Sequence, residues 1–86
     1  MAPASANGKA LILYGTSACH LCELAEALLA GLYAQGQVPA FEEVDISEDD
    51  DLFERYGERI PVLRDPTGRE LGWPFDAPAV LSWLAD

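Results

Sequence analysis

The stretch from Leu11 to Leu32 limits the folds open to this chain more than any other. It runs Leu11-Ile12-Leu13-Tyr14, then Gly15-Thr16-Ser17-Ala18, then Cys19-His20-Leu21-Cys22, then an apolar series at helical spacing. That order reads as strand, tight loop, dithiol and helix. The chain's only two cysteines stand three positions apart, where strand gives way to helix. The first N–H groups of a helix have no partner within it and carry the positive end of its dipole. A cysteine placed there ionises more easily, and the thiolate is the reactive form. The pattern points to a redox-active pair.

Length and charge narrow the class. Eighty-six residues make one domain, over residues 9–86; such a chain buries roughly 60–65% of its extended surface, which gives a modest core. Half of the residues are apolar, which argues against global disorder. A net charge of −10 excludes a polyanion such as nucleic acid as the natural partner and favours a neutral or basic protein surface. Residues 1–8 are small and polar, with no basic or apolar segment of a signal peptide, and read as a flexible tail. No run approaches the ~18 apolar residues that a membrane span requires. The expectation is a cytoplasmic monomer that does not engage membranes. In a reducing compartment two lone cysteines serve catalysis or metal binding more often than they staple a fold.

The elements follow in order. The first strand covers Ala10 to Tyr14 and is apolar almost throughout, as a strand covered on both faces should be. Leu21, Leu24, Ala25, Leu28, Leu29 and Leu32 then form one apolar helical face. Gly36 and Pro39 stop that helix. A second strand spans Ala40 to Asp45, and the long connection makes it parallel to the first. Ser47-Glu48-Asp49-Asp50 suggests a capping arrangement for a second helix, packed through Leu52, Phe53 and Tyr56 and ended by Gly57. A third strand begins at Ile60-Pro61-Val62-Leu63, turns through Asp65-Pro66-Thr67-Gly68 and returns as a short fourth strand over Arg69 to Leu71. Asp76 caps a third helix, with Pro78 in its first turn and Val80, Leu81 and Leu84 on its buried face. The order is β-α-β-α-β-β-α, a small mixed sheet with helices on both faces.

The pair itself admits three readings: two small buried hydrophobes, a metal site, or a redox dithiol. A zinc site needs three or four strong ligands, and the only histidine, His20, lies between the thiols; a metal would have to bridge two chains. In the redox reading Cys19 sits at the exposed lip of the helix as nucleophile, and Cys22, one turn in, resolves the mixed disulfide. His20 as an imidazolium would favour the Cys19 thiolate, whereas Glu23 would disfavour a second negative charge. Pro61 is an ordinary residue for the start of a strand. Were its peptide bond cis, as ~5–6% of X–Pro bonds are, the Ile60 backbone would lie beside the dithiol and offer N–H and C=O groups to a substrate.

Leu13-Tyr14 through Cys19-His20-Leu21-Cys22, Val44-Asp45-Ile46, Tyr56-Gly57, Arg59-Ile60-Pro61-Val62-Leu63, Gly68-Arg69-Glu70-Leu71 and Trp73-Pro74-Phe75-Asp76 together resemble the glutaredoxin-like small proteins of the thioredoxin-fold superfamily. The resemblance covers Ala10 to Leu84. It implies an α/β, thioredoxin-like (glutaredoxin-type) fold with strand order 2-1-3-4, strands three and four antiparallel to the first two. It implies that Cys19 attacks, that Cys22 resolves, and that Pro61 is cis and faces the pair. Electrons would pass between thiols and disulfides, with no bound cofactor and with glutathione as a co-substrate. Two positions depart from the glutaredoxin pattern. Gly15 to Ala18 holds no basic residue, and Gly72-Trp73-Pro74-Phe75 replaces the paired glycines that grip glutathione, although Asp76 could meet its ammonium group. Trp73 and Phe75 either pack their loop or form an apolar shelf for a partner.

The sequence therefore favours a thiol–disulfide oxidoreductase acting on a disulfide-containing protein or a small thiol. Cys19, Cys22 and Pro61 would be catalytic, His20 and Glu23 modulating, and Ile60, Trp73 and Asp76 would contact substrate. A non-catalytic thioredoxin-fold binding or redox-sensing module is the alternative, and a metal-bridged dimer a third.

Overall fold

The computed structural model describes residues 10–86; the tail expected over residues 1–8 lies outside them. The elements are β1 (Leu11–Gly15), α1 (His20–Ala34), β2 (Phe41–Asp45), α2 (Asp50–Tyr56), β3 (Val62–Arg64), β4 (Glu70–Gly72) and α3 (Ala77–Ala85). A single 3-10 turn, Ile46–Glu48, joins β2 to α2.

The sheet has the order β2-β1-β3-β4. β1 and β2 are parallel, β1 and β3 antiparallel, and β3 and β4 antiparallel. This corrects the orientation expected for the fourth strand. A tight hairpin reverses the chain, so β4 runs with β1 and β2, and β3 alone opposes them. Side chains alternate across the sheet. Leu11, Leu13 and Leu63 face a core shared with Ala25, Leu29 and Leu32 of α1 and Val80 of α3. Tyr14 and Val62 face the other way, against Ile46 and Tyr56. Thus α1 and α3 cover one face and α2 the other.

The rotation of α1 differs from the expected one. Its buried residues are Cys22, Ala25, Leu29 and Leu32, while Leu21 and Leu24 are 43% and 45% exposed. Cys22 sets the phase, because its side chain packs on the Gly15 backbone at the end of β1. Turning Cys22 inward moves Leu21 and Leu24 out.

The start of α2 also differs. Asp45 accepts hydrogen bonds from the Ser47 amide at 2.9 Å and its hydroxyl at 2.6 Å. Ser47 is spent in that turn, and Asp49 caps α2 instead, accepting from Asp51 and Leu52 amides at 2.9 and 3.2 Å. Phe53 is 57% exposed, and only Tyr56 of this helix is fully buried.

The β3–β4 turn is built on Asp65. Its buried carboxylate accepts from the Thr67 amide (2.9 Å) and hydroxyl (2.7 Å), and from the Arg69 amide (2.9 Å) and Nε (2.7 Å). Burial alone would raise its pKa, but these donors outweigh burial and hold it at about 2. Gly68 takes φ +98°, a conformation that glycine adopts at no steric cost. Arg69 also donates to the Trp83 carbonyl at 3.2 Å, tying the turn to α3. As expected, Asp76 caps α3, accepting from the Ala79 amide at 3.0 Å, with Pro78 in the first turn. No helix among the described residues is long and apolar enough to cross a membrane.

Candidate active site

The site forms where the C-terminal ends of β1 and β2 meet the first turn of α1. Gly15 pairs with Asp45 on one side. On the other, Tyr14 pairs with Val62, and extending that register by one residue sets Pro61 opposite Gly15. The Trp73 amide donates to the Pro61 carbonyl at 3.1 Å. A row of Asp45, Gly15, Pro61 and Trp73 therefore crosses this end of the sheet, with Gly15 against Cys22.

Cys19 and Cys22 are joined as a disulfide, with Cα atoms 5.1 Å apart, inside the range such a bond requires. Cys19 is the N-cap of α1, with extended backbone geometry. The Cys22 amide donates to the Cys19 sulfur at 3.1 Å, an interaction that grows stronger when the sulfur carries negative charge. Cys19 is half-buried, whereas Cys22 is 7% exposed. A Cβ built on Gly15 would lie 2.9 Å from the Cys22 sulfur. Only glycine there lets Cys22 settle against the strand. The two sulfurs thus differ in access, and only the outer one has a free approach.

One wall of the site is acidic. A cleft of about 670 Å³ beside Cys22 is lined by Glu23 and Glu26 from α1 and by Glu43 and Asp45 from β2, with Gly15 at its floor. Burial, and then the neighbouring Glu26 carboxyl, push the Glu43 pKa up. The hydrogen bonds from Ser47 hold the Asp45 pKa below its usual value.

Of the residues singled out in the sequence, Cys19, Cys22, Pro61, Glu23 and Trp73 converge on this end of the sheet. His20 is the first residue of α1 and is exposed. The Ile60–Pro61 bond is cis, as is Trp73–Pro74. Ile60 packs on the α2 side of the sheet, and its N–H donates to the Tyr56 carbonyl at 3.1 Å. Of the two backbone groups expected of Ile60, the N–H is therefore already engaged, and β3 begins only at Val62. Asp76 is exposed, and its Oδ1 caps α3. Trp73 and Phe75 meet edge to face, with ring centroids 5.0 Å apart. Phe75 is core, 6% exposed, and Trp73 packs at its margin.

Sequence reasoning missed Gly15, Glu26, Glu43 and Asp45. Glu26 carried a signal, since it stands four residues after Cys22 and so on the same side of the helix. Glu43 and Asp45 carried none, because their approach to α1 depends on how β2 pairs with β1. Among the described residues, no group of three His, Cys, Asp or Glu side chains could hold a metal ion.

Residues 10–85 match the Glutaredoxin-like domain (DUF836) family. No curated protein matches the chain. Among solved structures, the X-ray structure of target protein XcR50 from X. campestris is 51% identical, covers 88% of this chain and 96% of its own, and superposes with a TM-score of 0.78. The solution structure of the same target gives 51% identity, 88% and 92% coverage and a TM-score of 0.74. Protein Ne2328 from Nitrosomonas europaea is 28% identical, with coverage of 87% and 89% and a TM-score of 0.71.

Proposed function

The chain belongs to the Glutaredoxin-like domain (DUF836) family, and from that membership we propose that it is a thiol–disulfide oxidoreductase of the cytoplasm. The observation that carries the reading is the asymmetry of the pair. Cys19 is half-buried at the helix cap with an amide donor on its sulfur, and Cys22 is buried one turn behind it.

In the reduced protein the Cys19 thiolate attacks one sulfur of a substrate disulfide. A bond forms from Cys19 to that sulfur, and the other substrate half leaves as a thiolate that takes up a proton. The Cys22 thiol then loses its proton and its sulfur attacks Cys19. The bond to substrate breaks, the second thiol departs, and Cys19 and Cys22 are left joined, the form present here. Two electrons and two protons pass to substrate. An external dithiol, or two monothiols, restores the pair by the reverse exchange.

The test is a redox-buffer titration with alkylation and mass readout, together with two variants. A reversible midpoint within roughly −180 to −270 mV, the span of known dithiol carriers, is expected. Cys19→Ser should abolish reduction of a model disulfide, and Cys22→Ser should accumulate a mixed disulfide. A pair that never closes reversibly, or a Cys19→Ser variant as active as the parent, ends the proposal.

A further inference from the structure

The surroundings of the pair carry information about what reaches it. Leu21 and Leu24 stand three residues apart on one flank of α1 and are 43% and 45% exposed. Glu23 and Glu26, also three apart, stand on the opposite flank and line the cleft. Between the two flanks, Cys22 and Ala25 turn inward. A partner that brings a sulfur to Cys19 therefore meets an apolar flank on one side and a carboxylate wall on the other.

Among the described residues, no lysine or arginine lines that wall. The arginines of the described residues are Arg55, Arg59, Arg64 and Arg69, and none lines the cleft. Arg59 pairs with Glu70 at 3.1 Å and Arg69 with Asp65 at 2.7 Å, both remote from it. Glu26 of α1 and Glu43 of β2 line the same cleft, and the Glu43 carboxyl holds its proton more tightly than usual, first through burial and then through Glu26. Two carboxylates held together in this way gain from an incoming ammonium or guanidinium group, which removes their mutual repulsion. An anionic thiol such as a γ-glutamyl peptide gains nothing there.

We propose that the substrate is a protein whose reactive cysteine lies in a basic segment that also carries an apolar side chain. The apolar side chain covers Leu21 and Leu24, and lysine or arginine side chains enter the cleft against Glu23, Glu26 and Glu43. This assignment rests on the reading of Cys19 as the attacking sulfur, and it supplies the substrate class which that reading leaves open.

The test uses two synthetic peptide disulfides that share one cysteine and one leucine per strand and differ only in flanking arginines or flanking glutamates. Reduced full-length protein is mixed with each, quenched in acid and read by mass. Each turnover oxidises one Cys19–Cys22 pair and yields two peptide thiols. At low ionic strength the arginine peptide should react at least tenfold faster, within the range that electrostatic steering provides, and the ratio should fall toward one in 1 M salt. Net charge alone would favour a basic peptide, so two triple variants separate the site from the whole molecule. E23Q/E26Q/E43Q should lose most of the preference. D50N/D51N/E54Q, which removes the same charge from α2 on the other face of the sheet, should keep it. Leu24→Ser should slow both peptides several-fold. A wild-type ratio near one, or equal loss of preference in the two triple variants, overturns the charge assignment, and an unchanged rate in Leu24→Ser overturns the apolar one. If neither peptide is reduced, the oxidoreductase reading fails instead. The surface is then judged by titrating serine analogues of the peptides into the oxidised protein. Saturable amide shifts at residues 21–26 with the arginine peptide alone uphold it, and their absence rejects it.

Discussion

Replacing Gly15 by alanine tests the packing on which the whole site depends. The added Cβ would lie 2.9 Å from the Cys22 sulfur and 3.1 Å from the Cys22 Cβ. Both are shorter than an ordinary van der Waals contact, and Cys22 is buried in the first turn of α1 with its sulfur tied to Cys19. Neither the helix nor the strand can yield without moving its neighbours, and overpacking of this kind costs about 1–3 kcal/mol. Against this, alanine restricts the unfolded chain and returns about 0.4–1 kcal/mol, since the Gly15 φ is not positive. At the middle of both ranges, the net destabilisation of the oxidised protein is about 1.3 kcal/mol. For a domain of this size that lowers the melting temperature by roughly 5–10 °C. In the reduced protein Cys22 is no longer tethered and can relieve part of the contact by turning its side chain, so the loss should be smaller. Thermal denaturation of parent and variant in both redox forms gives the four numbers required. A Gly15→Ala protein that melts with the parent in both forms would refute the claim that Cys22 is seated on the strand.

Three further outcomes follow from the same contacts. Leu29 is fully buried between α1 and the sheet, so Leu29→Ala should cost about 2–5 kcal/mol, read as a lower urea midpoint, and a change within error would place that residue outside the core. Asp65 has its pKa depressed to about 2 from an ordinary 3.8. Its contribution is therefore complete above about pH 4 and is lost as pH falls toward 2; in Asp65→Ala that segment of the stability–pH curve should flatten, and an unaltered curve would show that other carboxylates govern it. Reduction of the pair should leave the protein folded and less stable by no more than about 2 kcal/mol, as denaturation with and without a reducing agent would establish; an unfolded reduced form would contradict this.

The elements that local chemistry decides were legible in the sequence. The N-cap at Asp76, the Asp65-Pro66-Thr67-Gly68 turn and the strand–dithiol–helix order each depend on residues within a few positions of one another, and each forms as expected. The elements that failed are those with several equivalent local answers. Asp45, Ser47 and Asp49 can each cap a turn, and the choice fell to Asp49 only because Asp45 captures Ser47. In α1, leucines at 21, 24, 28, 29 and 32 permit more than one apolar stripe, and the contact between Cys22 and Gly15 selects among them. The acidic wall lies beyond local reading, since Glu26 and Glu43 meet only once β2 has paired in parallel with β1.

The position of the pair also separates its chemistry from the stability of the fold. Cys19 and Cys22 are three residues apart. Closing so short a loop removes little freedom from the unfolded chain, worth about 2 kcal/mol by the chain-entropy relation. That is comparable to burying a single large apolar side chain, roughly 1.5–3 kcal/mol. Leu11, Leu29, Leu63, Val62 and Val80 are all essentially inaccessible to solvent. A structural staple gains from linking distant parts of a chain; this one links neighbours across the first turn of a helix that the core already holds. Opening it should therefore release two sulfurs while β1, α1 and the amide that serves Cys19 stay in place. Under the proposed function, a pair built in this way would cycle between its two states without paying for refolding at each turn, which is the property an exchange site requires and a staple does not.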